Sequence, residues 1–391
     1  MFTVLVVPSL CEAHTHSTHR LVCYVTSQTQ PHPDVPSFHL DQVDPLLCTH
    51  IIYASLDLAP DDHILPFSSE DQEAWISLSS LKDSNPDLKM LLAIGRWTSI
   101  TTRLLEIASD FPRRKTFVQS AVQCLRQEGA DGLDLVWLPG AQNNDTLLTL
   151  FLKELQGAFQ EEAGVSGRET LLLSTAVPGL EDPDLQGSDA RSFSQYVDFI
   201  SFLTYDLQRP LQATPDVNHL VTYWLSQGVE SQKLTLGFHV SAPGLWTLEN
   251  ETSLQWDSED HTQMCHFLRT SHAHPDDHML SSERHGTSLR GKLWQLRRVG
   301  VRAASVWSLG LDDPTGTLCG RGSSPFTRLL RSSLRRRNHH TPHHRSPHHY
   351  QHRHHHRHGS STRDRHLGHR HCHRHRVRND MVSPRQHTTS V

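Results

Sequence analysis

Eight short apolar runs recur along the chain: Leu21 to Val25, His50 to Leu56, Lys89 to Ile94, Gly132 to Val136, Leu171 to Ala176, Val197 to Thr204, Lys233 to Phe238 and Ala304 to Leu309. Most are nearly continuous rather than alternating, the pattern of strands covered on both faces. Between them, Gln72 to Leu81, Arg113 to Arg126, Thr146 to Phe159, Val217 to Ser226 and Leu289 to Val299 place apolar residues at helical spacing with polar residues opposite. Strands alternating with helices predict an α/β protein, a parallel (β/α)8 TIM barrel over residues 20–330, with functional side chains at the C-terminal ends of the strands. The stretch 240–288, too long for a loop and too polar for a plain helix, predicts a small insertion between the seventh and eighth strands.

The fourth run carries the chemistry. In Asp131-Gly132-Leu133-Asp134-Leu135-Val136-Trp137-Leu138-Pro139, the period of a strand puts Asp134, Val136 and Leu138 on one face and Leu133, Leu135 and Trp137 on the other. An acidic ladder there would suit glycoside hydrolysis, which needs a carboxylic acid to protonate the leaving oxygen. Here the ladder stops at its first rung, and no carboxylate lies between Val136 and Asn144.

Taken with Leu21-Val22-Cys23-Tyr24, Leu47-Cys48-Thr49-His50-Ile51-Ile52-Tyr53-Ala54, Leu88 to Gly95, Leu171 to Ser174, Tyr205-Asp206 and Val306-Trp307-Ser308-Leu309, this segment resembles the chitinases of glycoside hydrolase family 18. The likeness is to the vertebrate secreted chitinases, the chitinase-like lectins and the oviductins. It implies a chitin-oligosaccharide cleft at the barrel mouth and two disulfides, Cys23 with Cys48 and Cys265 with Cys319. In that family the fourth strand supplies a Glu that protonates the glycosidic oxygen and an Asp that orients the substrate's acetamido group. By the resemblance Asp131 and Asp134 match the first two acids, Val136 stands at the orienting position and Leu138 at the proton donor's. An alkyl chain gives no proton, and positioned acid catalysis is commonly worth about 10²- to 10⁴-fold, so the expectation is a pseudo-chitinase with no catalytic residue.

Aromatic rings decide whether such a cleft still binds sugar. Trp97, Tyr205 and Trp307 fall at the ends of strands three, six and eight, with Asp206 beside them, and Trp307 is the strongest candidate for stacking. Tyr24 and Tyr53 match the family's barrel-floor tyrosines and are expected to pack more than to touch sugar. Several walls differ: Ser55, Gln28 and Arg96 replace family residues, and the insertion is shortened. Asp134 needs hydrogen-bonding partners if buried, with Tyr205 or Tyr24 in reach.

Charge and composition change the picture at both ends. The net charge of -5 hides a segregation: residues 331–391 carry 14 Arg, no Lys and 2 Asp, a net of +12, leaving -17 on residues 1–330. The segment 331–391 has almost no aliphatic content and is expected to be disordered. Its clustered imidazoles, among them His354, His355, His356, His371 and His373, suit divalent metal ions at low specificity or, with the arginines, polyanions. A single aromatic, Tyr350, argues against specific nucleic-acid binding there. At the other end, residues 1–13 read as a short signal peptide, and no run approaches the roughly 18 apolar residues of a membrane span. Six cysteines beyond Cys11 suit an oxidising compartment, with Cys124 and Cys372 left unassigned, and Asn144 and Asn250 open glycosylation sequons.

The sequence thus reads as a secreted, non-catalytic chitinase-like protein, a weak lectin for chitin or N-acetylglucosamine-containing glycans, without a cofactor. The alternative is a structural or interaction protein whose His/Arg-rich tail binds metal ions or polyanions, and a residual glycosidase comes third.

Overall fold

The computed structural model describes residues 19–335, except 27–37, 39, 55, 96–97, 138–144, 179–189, 204–216, 241–264, 266–292 and 294–295. Eight parallel strands close into a barrel in sequence order: β1 (Arg20–Thr26), β2 (His50–Ala54), β3 (Lys89–Ile94), β4 (Gly132–Val136), β5 (Leu172–Pro178), β6 (Phe199–Leu203), β7 (Leu234–His239) and β8 (Ala303–Trp307). The last strand pairs with the first, Arg20 opposite Ala303, so no edge is left open. Among the described residues the helices include α1 (Ser69–Ser79), α2 (Leu81–Ser84), α3 (Thr98–Ser109), α4 (Phe111–Gln127), α5 (Asp145–Ser166), α6 (Ala190–Ser194), α7 (Val217–Ser226) and α8 (Pro325–Arg335). The eight-stranded architecture is the one expected from the apolar runs.

Alternation along each strand divides the buried side chains into two cores. Leu133 and Leu135 of β4, with Trp137 just after it, face outward and pack under the helices with Phe117, Phe151 and Leu155. The inner core holds Val22, Tyr24, Ile52, Leu91, Ala93, Val136, Ala176, Phe199, Leu203 and Trp307. Tyr53 departs from its expected place on the barrel floor. It belongs to the outer core, donates to Asp71 at 2.7 Å and lies against Phe67 and Trp75, because Ile52 and Ala54 take the inward positions of β2.

Two glycines let neighbouring strands close in on β4. A β-carbon at Gly132 would lie 2.2 Å from the carbonyl oxygen of Leu172, and one at Gly95, whose φ is +114°, would lie 2.2 Å from that of Val136. Only glycine permits either approach. At the entrance end of the strands, Arg20 plugs the barrel, donating to Thr235 Oγ1 at 3.1 Å and the Gln232 carbonyl at 3.0 Å while its guanidinium lies 4.7 Å from the Phe199 ring.

The chain boundary expected at Leu330 falls inside α8, which continues to Arg335, and the first compact unit runs to Arg337. Leu334, 2% exposed, shows why: the last turn still buries an apolar side chain. Asp312, just past β8, holds the other end of this helix, accepting from Phe326 N, Thr327 N and Thr327 Oγ1 at 2.9, 2.7 and 2.6 Å. Burial pushes the Asp312 carboxyl up to about 7 against these bonds. Residues 338–391, with all five tail histidines named above, lie outside the described residues, as do the leader 1–13 and nearly all of 240–288.

Candidate functional site

The two acids of this segment lie at different depths, Asp131 just before β4 and Asp134 within it. Asp131 precedes β4 at the entrance end, where it accepts from Lys82 Nζ and the Met90 amide, both at 2.6 Å. It ties α2 and β3 to β4 far from the mouth. Asp134 is fully buried inside the barrel, its Oδ2 accepting from the Tyr24 hydroxyl at 2.9 Å and its Oδ1 from Ser174 Oγ at 2.6 Å. Parallel register makes the second bond possible, since Asp134 is the direct partner of Ser174 across β4 and β5.

Burial pushes the Asp134 carboxyl up to about 6, while the two hydroxyls pull it the other way. The Tyr24 ring in turn rests on Trp307, with centroids 4.9 Å apart and planes at 43°. Trp307 ends β8 and is 4% exposed, so it presents little of its face to solvent; the bond from it to Ser308 is cis. Val136, one pleat beyond Asp134 toward the mouth, lies among apolar neighbours and pairs in register with Ala176.

Of the residues singled out in the sequence, the structure brings together Asp134, Tyr24, Trp307 and Val136, and sets Asp131 apart. Leu138, Trp97, Tyr205, Asp206, Asn144 and Asn250 lie outside the described residues. Ser174 was not singled out as a site residue, although Ser174-Thr175 directly after Leu171-Leu172-Leu173 marks where an otherwise apolar strand turns polar.

Two disulfides are present, Cys23 with Cys48 and Cys265 with Cys319, which fix β1 to the approach of β2 and Cys265 to the loop before α8. Cys124 is a free thiol, and burial, with the charge of Glu128, pushes it up to about 11. Among the described residues no three His, Cys, Asp or Glu side chains converge as a metal site. No helix among them is long and apolar enough to cross a membrane.

A closed parallel barrel carrying a Tyr, Asp and Ser network under a Trp at the end of β8 is a chitinase-like architecture, and comparison with known proteins agrees. Residues 20–304 match the family described as Glycosyl hydrolases family 18, and the chain belongs to it. Chitotriosidase-1 of Mus musculus is 32% identical over 370 residues, spanning 81% of this chain and 78% of that protein. The oviduct-specific glycoprotein of Homo sapiens is 29% identical over 369 residues, 82% of this chain but 54% of that protein, so the chain spans about half its length. Among solved structures, human YKL-39, described as a pseudo-chitinase with retained chitooligosaccharide binding properties, superposes with a TM-score of 0.65 at 24% identity. That likeness, over 81% of this chain and all of YKL-39, is one of fold.

Proposed function

We propose that this chain is a non-catalytic, glycan-binding member of its family that works outside the cell. The observation that carries the reading is Val136: the interior position one pleat beyond Asp134 holds an alkyl side chain, 3% exposed, where substrate-assisted hydrolysis needs a carboxylate. Leu138, at the proton donor's position in the sequence, offers no acid either. Asp134 does not replace them, since both its oxygens are engaged by Tyr24 and Ser174 inside the barrel. The buried acid is a structural hub.

Retention of Tyr24 and Trp307 at the mouth end of the inner core supports glycan binding, as does the chitooligosaccharide binding of the pseudo-chitinase YKL-39. Trp307 is mostly covered, which leaves it little surface for sugar, and Trp97, Tyr205 and Asp206 are the further candidates. Weak affinity follows from so small a platform. Two disulfides support an extracellular site, because such bonds persist in oxidising compartments.

Calorimetric titration of the full-length protein with chitotetraose is expected to give saturable binding that Trp307→Ala weakens about five- to tenfold. No new reducing ends should form. Turnover of chitotriose abolished by Asp206→Asn would overturn the non-catalytic reading, and absence of any chito-oligosaccharide binding would overturn the lectin reading.

The composition of residues 338–391 favours a second reading, in which the barrel is a scaffold and the His/Arg-rich tail binds divalent metal ions or polyanions. Zinc titration separates the two: a chain truncated after Arg337 that takes up as much metal as the full chain removes the metal branch of this reading.

A further inference from the structure

The end of the barrel opposite the mouth gathers cations from three elements. The Arg20 amide donates to the Arg302 carbonyl at 3.0 Å, which sets His19, before β1, beside Arg302, before β8. Helix α8 packs across both strands, and its last turn brings Arg335 Nε to 3.3 Å from His19 Nε2. That contact has the guanidinium donating to a neutral imidazole. Burial first, then the nearby charges of Arg335, Arg331 and Arg302, hold His19 below its ordinary range, so these three arginines bear on one point.

Helical spacing continues the cluster. Arg328, Arg331 and Arg335 stand at intervals of three and four on the side of α8 turned away from Phe326, Leu330 and Leu334, which are buried. Arg331 is held below its ordinary range by burial first and then by the charges of Arg335 and Arg328, against which Asp44 acts from one side. Asp44 pairs with Arg328 at 3.2 Å, and it marks the edge of the patch. Among the described residues, Arg331 and Arg335 form no ion pair with a carboxylate.

A body whose residues 1–330 carry a net of -17 nonetheless places like charges together here, at a cost in mutual repulsion that a bound polyanion would offset. Guanidinium groups donate paired hydrogen bonds to sulfate or carboxylate oxygens, and a row of them along a helix suits a linear chain of such groups. On the extracellular reading proposed above, which the disulfides support and on which this choice of ligand rests, sulfated polysaccharides rather than nucleic acids are the abundant linear polyanions. We propose that His19, Arg302, Arg331 and Arg335 form a docking surface for a sulfated polysaccharide at the end of the barrel opposite the mouth. This surface belongs to the folded body and is independent both of glycan binding at the mouth and of the tail.

The tail's own charge would mask the effect, so the test uses the full-length chain with every Arg and His of residues 338–391 replaced by Ser. Binding of a heparin octasaccharide is followed by calorimetry at low ionic strength. Arg331→Gln with Arg335→Gln is expected to weaken it about tenfold, the sum of a few exposed charge contacts. Added salt should shrink that difference. Lys153→Gln with Arg168→Gln removes the same charge from exposed positions on and just after α5 and is expected to change binding less than twofold. Arg331→Lys with Arg335→Lys, which keeps the charge and the fold, should retain most of the affinity. Equal losses from the two glutamine pairs, no binding by the tail-neutral chain, or tighter binding of a single-stranded RNA of matched charge would each overturn the proposal.

Discussion

Asp131, just before β4, and Asp134, within it, are three residues apart and live in different media. The first sits at the barrel entrance, partly exposed, against the ammonium of Lys82 and the Met90 amide. The second has lost all contact with water and meets only the hydroxyls of Tyr24 and Ser174. One is an ordinary charged brace. The other is a carboxyl that burial drives toward its neutral form. Sequence motifs treat the two as equivalent acids, and the comparison teaches that only position along the strand separates a surface tie from an interior hub.

Removing the hub should cost most. Asp134→Ala takes the shared acceptor from two buried hydroxyls and opens a cavity, so urea unfolding is expected to show a loss of about 4 kcal/mol. A loss below about 1 kcal/mol would mean the network contributes little. Next comes pH. The folded chain keeps Asp134 protonated between about 4 and about 6, where the unfolded chain has already released that proton. Its contribution is therefore complete below pH about 4 and fades as pH rises through about 6, by about 3 kcal/mol. Asp312, pushed up to about 7, acts in the same direction, and His50, held down to about 3 by burial, acts in the opposite one. Asp134→Asn isolates the first effect: the stability difference between variant and parent should shift in the variant's favour from pH 4 to pH 7.

Smaller effects test the surroundings of the strand. Gly132→Ala drives a methyl against the Leu172 carbonyl and should destabilise by about 2 kcal/mol, read as a lowered urea midpoint at unchanged slope. Asp131→Asn keeps an oxygen for the Met90 amide and loses only a partly exposed ion pair, so its cost should stay below about 1 kcal/mol. If Asp131→Asn proved as damaging as Asp134→Ala, the contrast between brace and hub would fail.

The phase of β4 was legible because a single carboxylate on an apolar strand pins which residues share a face. The phase of β2 was not: in His50-Ile51-Ile52-Tyr53-Ala54 both faces are apolar, as in any strand covered twice, and Tyr53 could be read as facing either way. Helix α3 escaped notice because Thr98-Ser99-Ile100-Thr101-Thr102 opens it with β-branched and hydroxylated residues that favour helix weakly. The last turn of α8 was hidden by composition, since Arg331-Ser332-Ser333-Leu334-Arg335 looks like the biased tail it leads into, and only tertiary burial of Leu334 shows its membership in the body. Ser174 was hidden for another reason. Its role depends on register between two strands separated by all of α5, and sequence spacing carries no register of that kind.

The contact of Arg335 with His19 has a topological consequence. With β1 paired to β8 and α8 laid over that seam, the first and last described residues of the body are neighbours, and the fold is nearly a ring. A short Gly/Ser linker from Arg337 to His19 should therefore permit circular permutation, with new ends opened at an exposed turn such as Gly167-Arg168. In a closed barrel no strand is intrinsically first, and the order in which this one is translated is a property of the gene rather than of the architecture.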